Sequence, residues 1–120
     1  MYVEAALYNR LTGDPTVSGM VGLRVYPHLL PQNPTYPAIT FNRVATVPVS
    51  VLTGAQEMSF HTMQVSAWSP SYGTAHIVAS GIRHALDGNN ATRFVNQIDL
   101  FDEAARLHYC ALDFSIAYLD

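Results

Sequence analysis

The chain has 120 residues, one cysteine, nine acidic and six basic side chains, and a formal net charge of −3. That length suits a single domain, residues 1–120, able to bury a core without disulfides. No run of about 18 apolar residues is present to span a bilayer, and six scattered arginines make no positive patch of the kind that grips nucleic acid. Charged residues are 12% of the chain, well below the usual quarter or so, which points to surface hidden in an assembly.

Val3, Ala6, Leu7, Arg10 and Leu11 follow the three-four spacing of a first helix, which Gly13 ends. Asp14 then has the side chain of an N-cap and Pro15 the fixed φ of a first helical position, so a short helical turn follows with Val17, Met20 and Val21 inward. Leu23 to Tyr26 is a brief extended run. It leads into a segment stiffened by Pro27, Pro31, Pro34 and Pro37. Ala38 to Thr46 reads as a strand with Ile39 and Phe41 on the core side, interrupted by Pro48. From Val47 to Met58 the chain is apolar but aperiodic, as expected for the tip of a long protruding hairpin whose valines serve a neighbour.

Phe60 to Ser69 is the returning strand, with Met63, Val65 and Ala67 on one face and Trp68 on the other. Ser69 and Pro70 offer a cap and a first turn for a helix from Pro70 to Asp87. Its apolar stripe is Ala75, Val78, Ala79, Ile82, Ala85 and Leu86, and Gly88 supplies the stop. Arg93 to Phe101 and Leu107 to Leu119 form two final strands around an acidic turn. In the last, Cys110, Leu112, Phe114, Ile116 and Tyr118 share a face. The expectation is an α+β domain: a mainly antiparallel sheet of about four strands, two main helices on one face, and the hairpin.

Reactive constellations are missing at the level of spacing. His28, His61, His76, His84 and His108 include no pair three or four residues apart, the arrangement that brings ligands together on a helix. Cys110 reads as a small hydrophobe on the apolar side of its strand, since a catalytic thiol needs a His in an electropositive setting. Asp99, Asp102 and Glu103 read as a solvated turn. Gly19 to Gly22 lacks the preceding strand of a nucleotide loop. No catalytic, metal or cofactor residue is therefore expected, and the N-terminal Met1-Tyr2-Val3-Glu4 has no basic stretch before an apolar core, so the cytosol is the expected compartment.

Residues in several places resemble the tail-completion, or tail-terminator, family of long-tailed bacteriophages and related prophages. They are Glu4-Ala5-Ala6-Leu7-Tyr8; Val25-Tyr26-Pro27 with Pro37-Ala38-Ile39-Thr40 after the proline-rich loop; Gln64-Val65-Ser66-Ala67-Trp68 leading through Tyr72 and Ala75; Ala85-Leu86-Asp87-Gly88; and Leu112-Asp113-Phe114-Ser115-Ile116. The resemblance implies a non-enzymatic virion protein at the tail-neck junction, assembled in the host cytoplasm. It implies a homo-oligomeric ring, expected to be a hexamer, that caps the tail tube at its head-proximal end and ends tube polymerisation. The implied partners are the major tail tube protein and the head-completion or neck proteins, with DNA passing through the ring unbound and no membrane contact.

The family resemblance carries no fixed site motif, so the contact residues are read from the chain itself: Val49, Val51 and Leu52 at the hairpin tip, Trp68 and Tyr72 at the helix start, and His76 and Arg83 on the polar side of that helix. Two other readings stay open. One is a different neck ring, such as a head-closure or connector subunit; the other is an oligomeric small-molecule-binding α+β domain with a pocket between subunits.

Overall fold

The computed structural model describes residues 3–49, 58–87 and 91–119. In chain order it contains α1 (Val3–Gly13), α2 (Pro15–Val21), β1 (Val25–Pro27), β2 (Ala38–Val49), β3 (Met58–Ser69), α3 (Tyr72–Leu86), β4 (Thr92–Asp102) and β5 (Leu107–Leu119). The strands form one sheet in the order β1-β2-β3-β5-β4. β1 runs parallel to β2, and every other neighbouring pair is antiparallel.

The α+β class is as expected, and the short helical turn expected after Asp14 is α2, but among the described residues the sheet has five strands and is mixed. β1 falls on the extended run expected at Leu23 to Tyr26, but at three residues it is too short to display a period of two and so to be counted as a strand of the sheet. The strand also does not stop at Pro48. Pro48 pairs with Ser59 within β2, beyond the three rows that β1 covers, so β2 is an outer strand there and a missing N–H is tolerated. Residues 50–57, which include Val51 and Leu52, lie outside the described residues, as does the expected stop at Gly88.

α2 and α3 begin where side-chain chemistry dictates. Asp14 caps α2, accepting from the N–H groups of Thr16 and Val17 at 2.9 and 3.1 Å. α3 starts two residues later than expected. Ser71, not Ser69, is its N-cap and accepts from the Thr74 N–H at 3.4 Å, while the Ser69 hydroxyl accepts from the Ser71 N–H at 3.1 Å. Two serines in series thus satisfy the chain as it turns from strand to helix.

The helices bury their stripes on one side of the sheet. Val3, Leu7 and Leu11 of α1, Val17 and Val21 of α2, and Ala75, Val78, Ala79, Ile82 and Leu86 of α3 join Met63, Val65, Ala67, Cys110, Leu112 and Phe114 in one core. Truncating a fully buried leucine such as Leu11 or Leu112 removes about 2–5 kcal/mol. α2 packs closely on α3 at Gly81, against the flexible end of Met20. A Cβ there would sit 2.7 Å from Met20 Cε.

Arginines tie the layers together. Arg10 of α1 donates to Thr92 Oγ1 at 2.7 Å and to the Leu86 carbonyl at 2.9 Å, joining three elements and placing a cation at the C-terminal end of α3. Arg24 donates to the carbonyls of Pro37 and Met20 and holds the proline-rich segment against α2. Arg43 makes a two-oxygen ion pair with Glu4.

The opposite face of the sheet carries no helix among the described residues. Its row of side chains includes Thr40, Phe60, Gln64, Trp68, Ile98, Leu100, Tyr109 and Asp113, as the registers require. β2 and β4 each have one register shift, between Arg43 and Ala45 and between Phe94 and Asn96. Both abut the same transverse row, Arg43-Met63-Phe114-Phe94.

Candidate assembly surfaces and a polar cluster

Of the seven residues singled out from the sequence, Val51 and Leu52 lie outside the described residues, and the sheet keeps Trp68 apart from Tyr72, His76 and Arg83. Trp68 and Tyr72 are only four residues apart, yet the sheet separates them. Trp68 lies on the open face, where its Nε1–H donates to Thr40 Oγ1 at 2.8 Å and its ring stacks on Tyr109 with centroids 4.2 Å apart and planes 16° apart. It is half-buried by these neighbours. Trp68 therefore helps to organise the open face.

Tyr72, His76 and Arg83 lie four and seven residues apart on α3, which places them on one stripe. That stripe faces β4 of the same chain. Tyr72 and His76 have ring centroids 4.5 Å apart. The Tyr72 hydroxyl donates to Asp99 Oδ2 at 3.1 Å, and His76 Nε2 lies 2.9 Å from the same oxygen. Further along, the Arg83 guanidinium sits 4.2 Å above the Phe94 ring. All three side chains remain partly open to solvent while engaged with β4. Val49 is the last residue of β2.

Asp99 is not part of a solvated turn. It lies within β4, opposite Cys110 in β5, and the buried Cys110 thiol donates to Asp99 Oδ1 at 3.4 Å. Burial raises the Asp99 pKa, but the hydrogen bonds from Cys110, His76 and Tyr72 and the charge of His76 outweigh it, and the net shift is downward. The same contacts act oppositely on their partners. Burial first, then the hydrogen bond to Asp99 and its charge, push the Cys110 thiol up to about 12, and the bond to Asp99 raises the Tyr72 hydroxyl. A histidine does stand near the cysteine, but the setting is acidic and holds the thiol protonated, the reverse of what a nucleophile needs.

The residues that sequence reasoning passed over are the exposed apolar ones of β4: Val95, Ile98, Leu100 and Phe101, each between 42% and 51% exposed. Among the described residues β4 pairs with β5 on one side only, so its outer edge presents backbone donors and acceptors beside those side chains. Phe60 and Val47 add 44% and 57% exposed apolar surface on the open face. The available signal was β4's mixed alternation, in which apolar residues fall on both faces of a strand buried on neither. A groove lined by Glu4, Ala5, Tyr8, Asn9, Pro27 and Phe41 lies beside the Arg43–Glu4 pair. No helix among the described residues is long and apolar enough to cross a membrane.

The family model for Tail completion protein gp17 matches residues 5–119. The chain belongs to that tail completion protein family. It is a structural protein of bacteriophage tail completion, as the order of motifs from Glu4 to Ile116 implied. The fold is also that of a chain in a solved structure titled "Virion of native gene transfer agent (GTA) particle". The TM-score is 0.74 at 19% identity, over 98% of this chain and 95% of that one. At that identity the likeness is one of fold. No curated protein matches the sequence.

Proposed function

We propose that this tail completion protein assembles as a closed ring, expected to be a hexamer, on the head-proximal end of the tail tube. There it ends tube polymerisation and offers its other face to the head-completion or neck proteins. The role is interface complementarity, not catalysis. Identical subunits joined through unlike surfaces close into a ring when the rotation per subunit divides the circle.

The observation that carries this reading is the outer edge of β4, eleven residues long with Val95, Ile98, Leu100 and Phe101 exposed beside it. A long, apolar, unpaired edge is a liability in a monomer and is ordinarily blunted or covered. A second copy is the occupant that suits a family of assembly proteins. Val49 at the end of β2, Val51 and Leu52 in the sequence that follows it, and the stripe of Tyr72, His76 and Arg83 extend the proposed contact set, and the β2–β3 pair would protrude as a hairpin toward the neighbour. A subunit with net charge −3 suits a lumen through which DNA slides without adhering, because like charges repel.

Electron microscopy of the purified protein, alone and mixed with tail tubes, tests the proposal. Rings seated at one end of the tubes, with tube length no longer increasing, are the expected result. Protein that stays monomeric and leaves tubes growing would overturn it.

A further inference from the structure

Three side chains able to ligate a metal meet from three different elements: His76 from α3, Asp99 from β4 and Cys110 from β5. Their ligand atoms all lie within 4.8 Å of one another. His76 Nε2 is 2.9 Å from Asp99 Oδ2, and Cys110 Sγ is 3.4 Å from Asp99 Oδ1. A tetrahedral zinc ion with ordinary bond lengths holds its ligand atoms roughly 3.3–3.7 Å apart. His76 and Cys110 approach the two different oxygens of the Asp99 carboxylate at near that range, and with one oxygen as the ligand no separation exceeds 4.8 Å, so the set closes by at most about 1.5 Å.

The surroundings favour such a closure. Cys110 is fixed in the core, 1% exposed, whereas the side chains of His76 and Asp99 are 36% and 40% exposed and free to adjust. Tyr72 donates its hydroxyl hydrogen to the carboxylate, the kind of outer contact that orients a ligating Asp. One side of the cluster is core and the other is solvent, which leaves a fourth position for water.

We propose that His76, Asp99 and Cys110 form a binding site for a zinc-like divalent cation that pins the edge strand β4 to α3. The donor set selects the metal. One thiolate, one imidazole and one carboxylate suit zinc, while magnesium and calcium take oxygen donors alone. On binding, the Cys110 thiol gives its proton to the buffer and sulfur bonds the metal. The site does not depend on ring formation, and it uses a histidine that the chain already holds against the strand.

The test uses the full reduced chain stripped of metal with a chelator. Titration with zinc chloride is expected to show one equivalent bound, and cobalt(II) in its place is expected to give visible bands with a sulfur-to-cobalt charge-transfer band in the near ultraviolet. Cys110→Ser should abolish the charge-transfer band. His76→Ala, at an exposed position, should fold normally and bind zinc at least about 10–100-fold more weakly, the loss seen when even outer contacts to a metal site are removed. His84→Ala, on the same helix, should bind as the unaltered chain does. The proposal is overturned if no cobalt bands form, if the charge-transfer band survives in Cys110→Ser, or if His76→Ala binds zinc with unchanged affinity.

Discussion

Trp68 of β3 and Tyr109 of β5 stand directly opposite one another in the sheet, and their rings are stacked 4.2 Å apart on the face that no helix among the described residues covers. The pair turns what would be two loose aromatic side chains into a single plate, fixed at one corner by the Trp68 hydrogen bond to Thr40.

The Trp68→Ala variant is expected to lose about 2–3 kcal/mol, less than the ~3–5 kcal/mol of a fully buried tryptophan because the ring is only half-buried. Trp68→Phe keeps a ring against Tyr109 but leaves the Thr40 hydroxyl, 5% exposed, without its donor, at a cost of about 1 kcal/mol. Equilibrium unfolding in guanidinium chloride measures both. If Trp68→Ala costs no more than Trp68→Phe, the stack contributes nothing.

Gly81 tests how closely α2 and α3 are pressed together. Alanine there meets only the flexible end of Met20 at 2.7 Å, so the gain in helix propensity, up to about 1 kcal/mol, should offset the adjustment and leave the melting temperature unchanged or slightly raised. Gly81→Leu drives a wedge between the helices and should cost about 1–3 kcal/mol. A leucine tolerated without loss would mean that α2 is free to move away.

Ile98→Lys and Leu100→Lys address the proposed ring contact along β4. Both positions are exposed, at 45% and 42%, so each change should alter folding stability by no more than about 0.5 kcal/mol. Assembly should suffer far more, since losing a central interface contact costs about 2 kcal/mol or more, roughly thirtyfold in association. Native mass spectrometry across a dilution series reads the difference; an unaltered ring population in the double variant would place the contact elsewhere.

Acid should reach the Asp99 cluster at lower pH than it reaches an ordinary carboxylate. The folded-state pKa of Asp99 is depressed, so its contribution is fully present above the unfolded value near 3.8 and is lost as pH falls through the lower folded value. Asp99→Asn in metal-free protein should therefore flatten the fall of stability with pH in that acidic window. Matching acid-unfolding curves for the two proteins would show that the cluster carries no net preference for the charged carboxylate.

Much of this fold is legible in the chain because single-face burial writes a period into it. Met63, Val65 and Ala67 alternate and are fully buried; α3 repeats its stripe over 15 residues; β5 spans Leu107 to Leu119 as its alternation predicts. What escapes is whatever depends on a partner distant in sequence. β1 is a strand only because Val25, Tyr26 and Pro27 find Ile39, Thr40 and Phe41 beside them. Likewise Asp99 is eleven residues from Cys110 and 23 from His76. Motif spacing within one helix cannot reveal donors that meet only through register across β4 and β5 and the docking of α3. Trp68 and Tyr72, adjacent in the sequence argument, part company for the same reason: a strand sends one side chain to each face, and the helix returns over only one of them.

The two register shifts share a consequence for any assembly built from this subunit. Val44 and Val95 are the extra residues, and each lengthens its strand by one step while β3 and β5 pass between them uninterrupted. A surplus residue bends its strand and deepens the local twist. Here the surplus falls on both flanks of one row, so the sheet acquires a built-in camber along that row. The lean of each panel is then written into the covalent chain, identical from copy to copy, before any neighbour arrives to impose it.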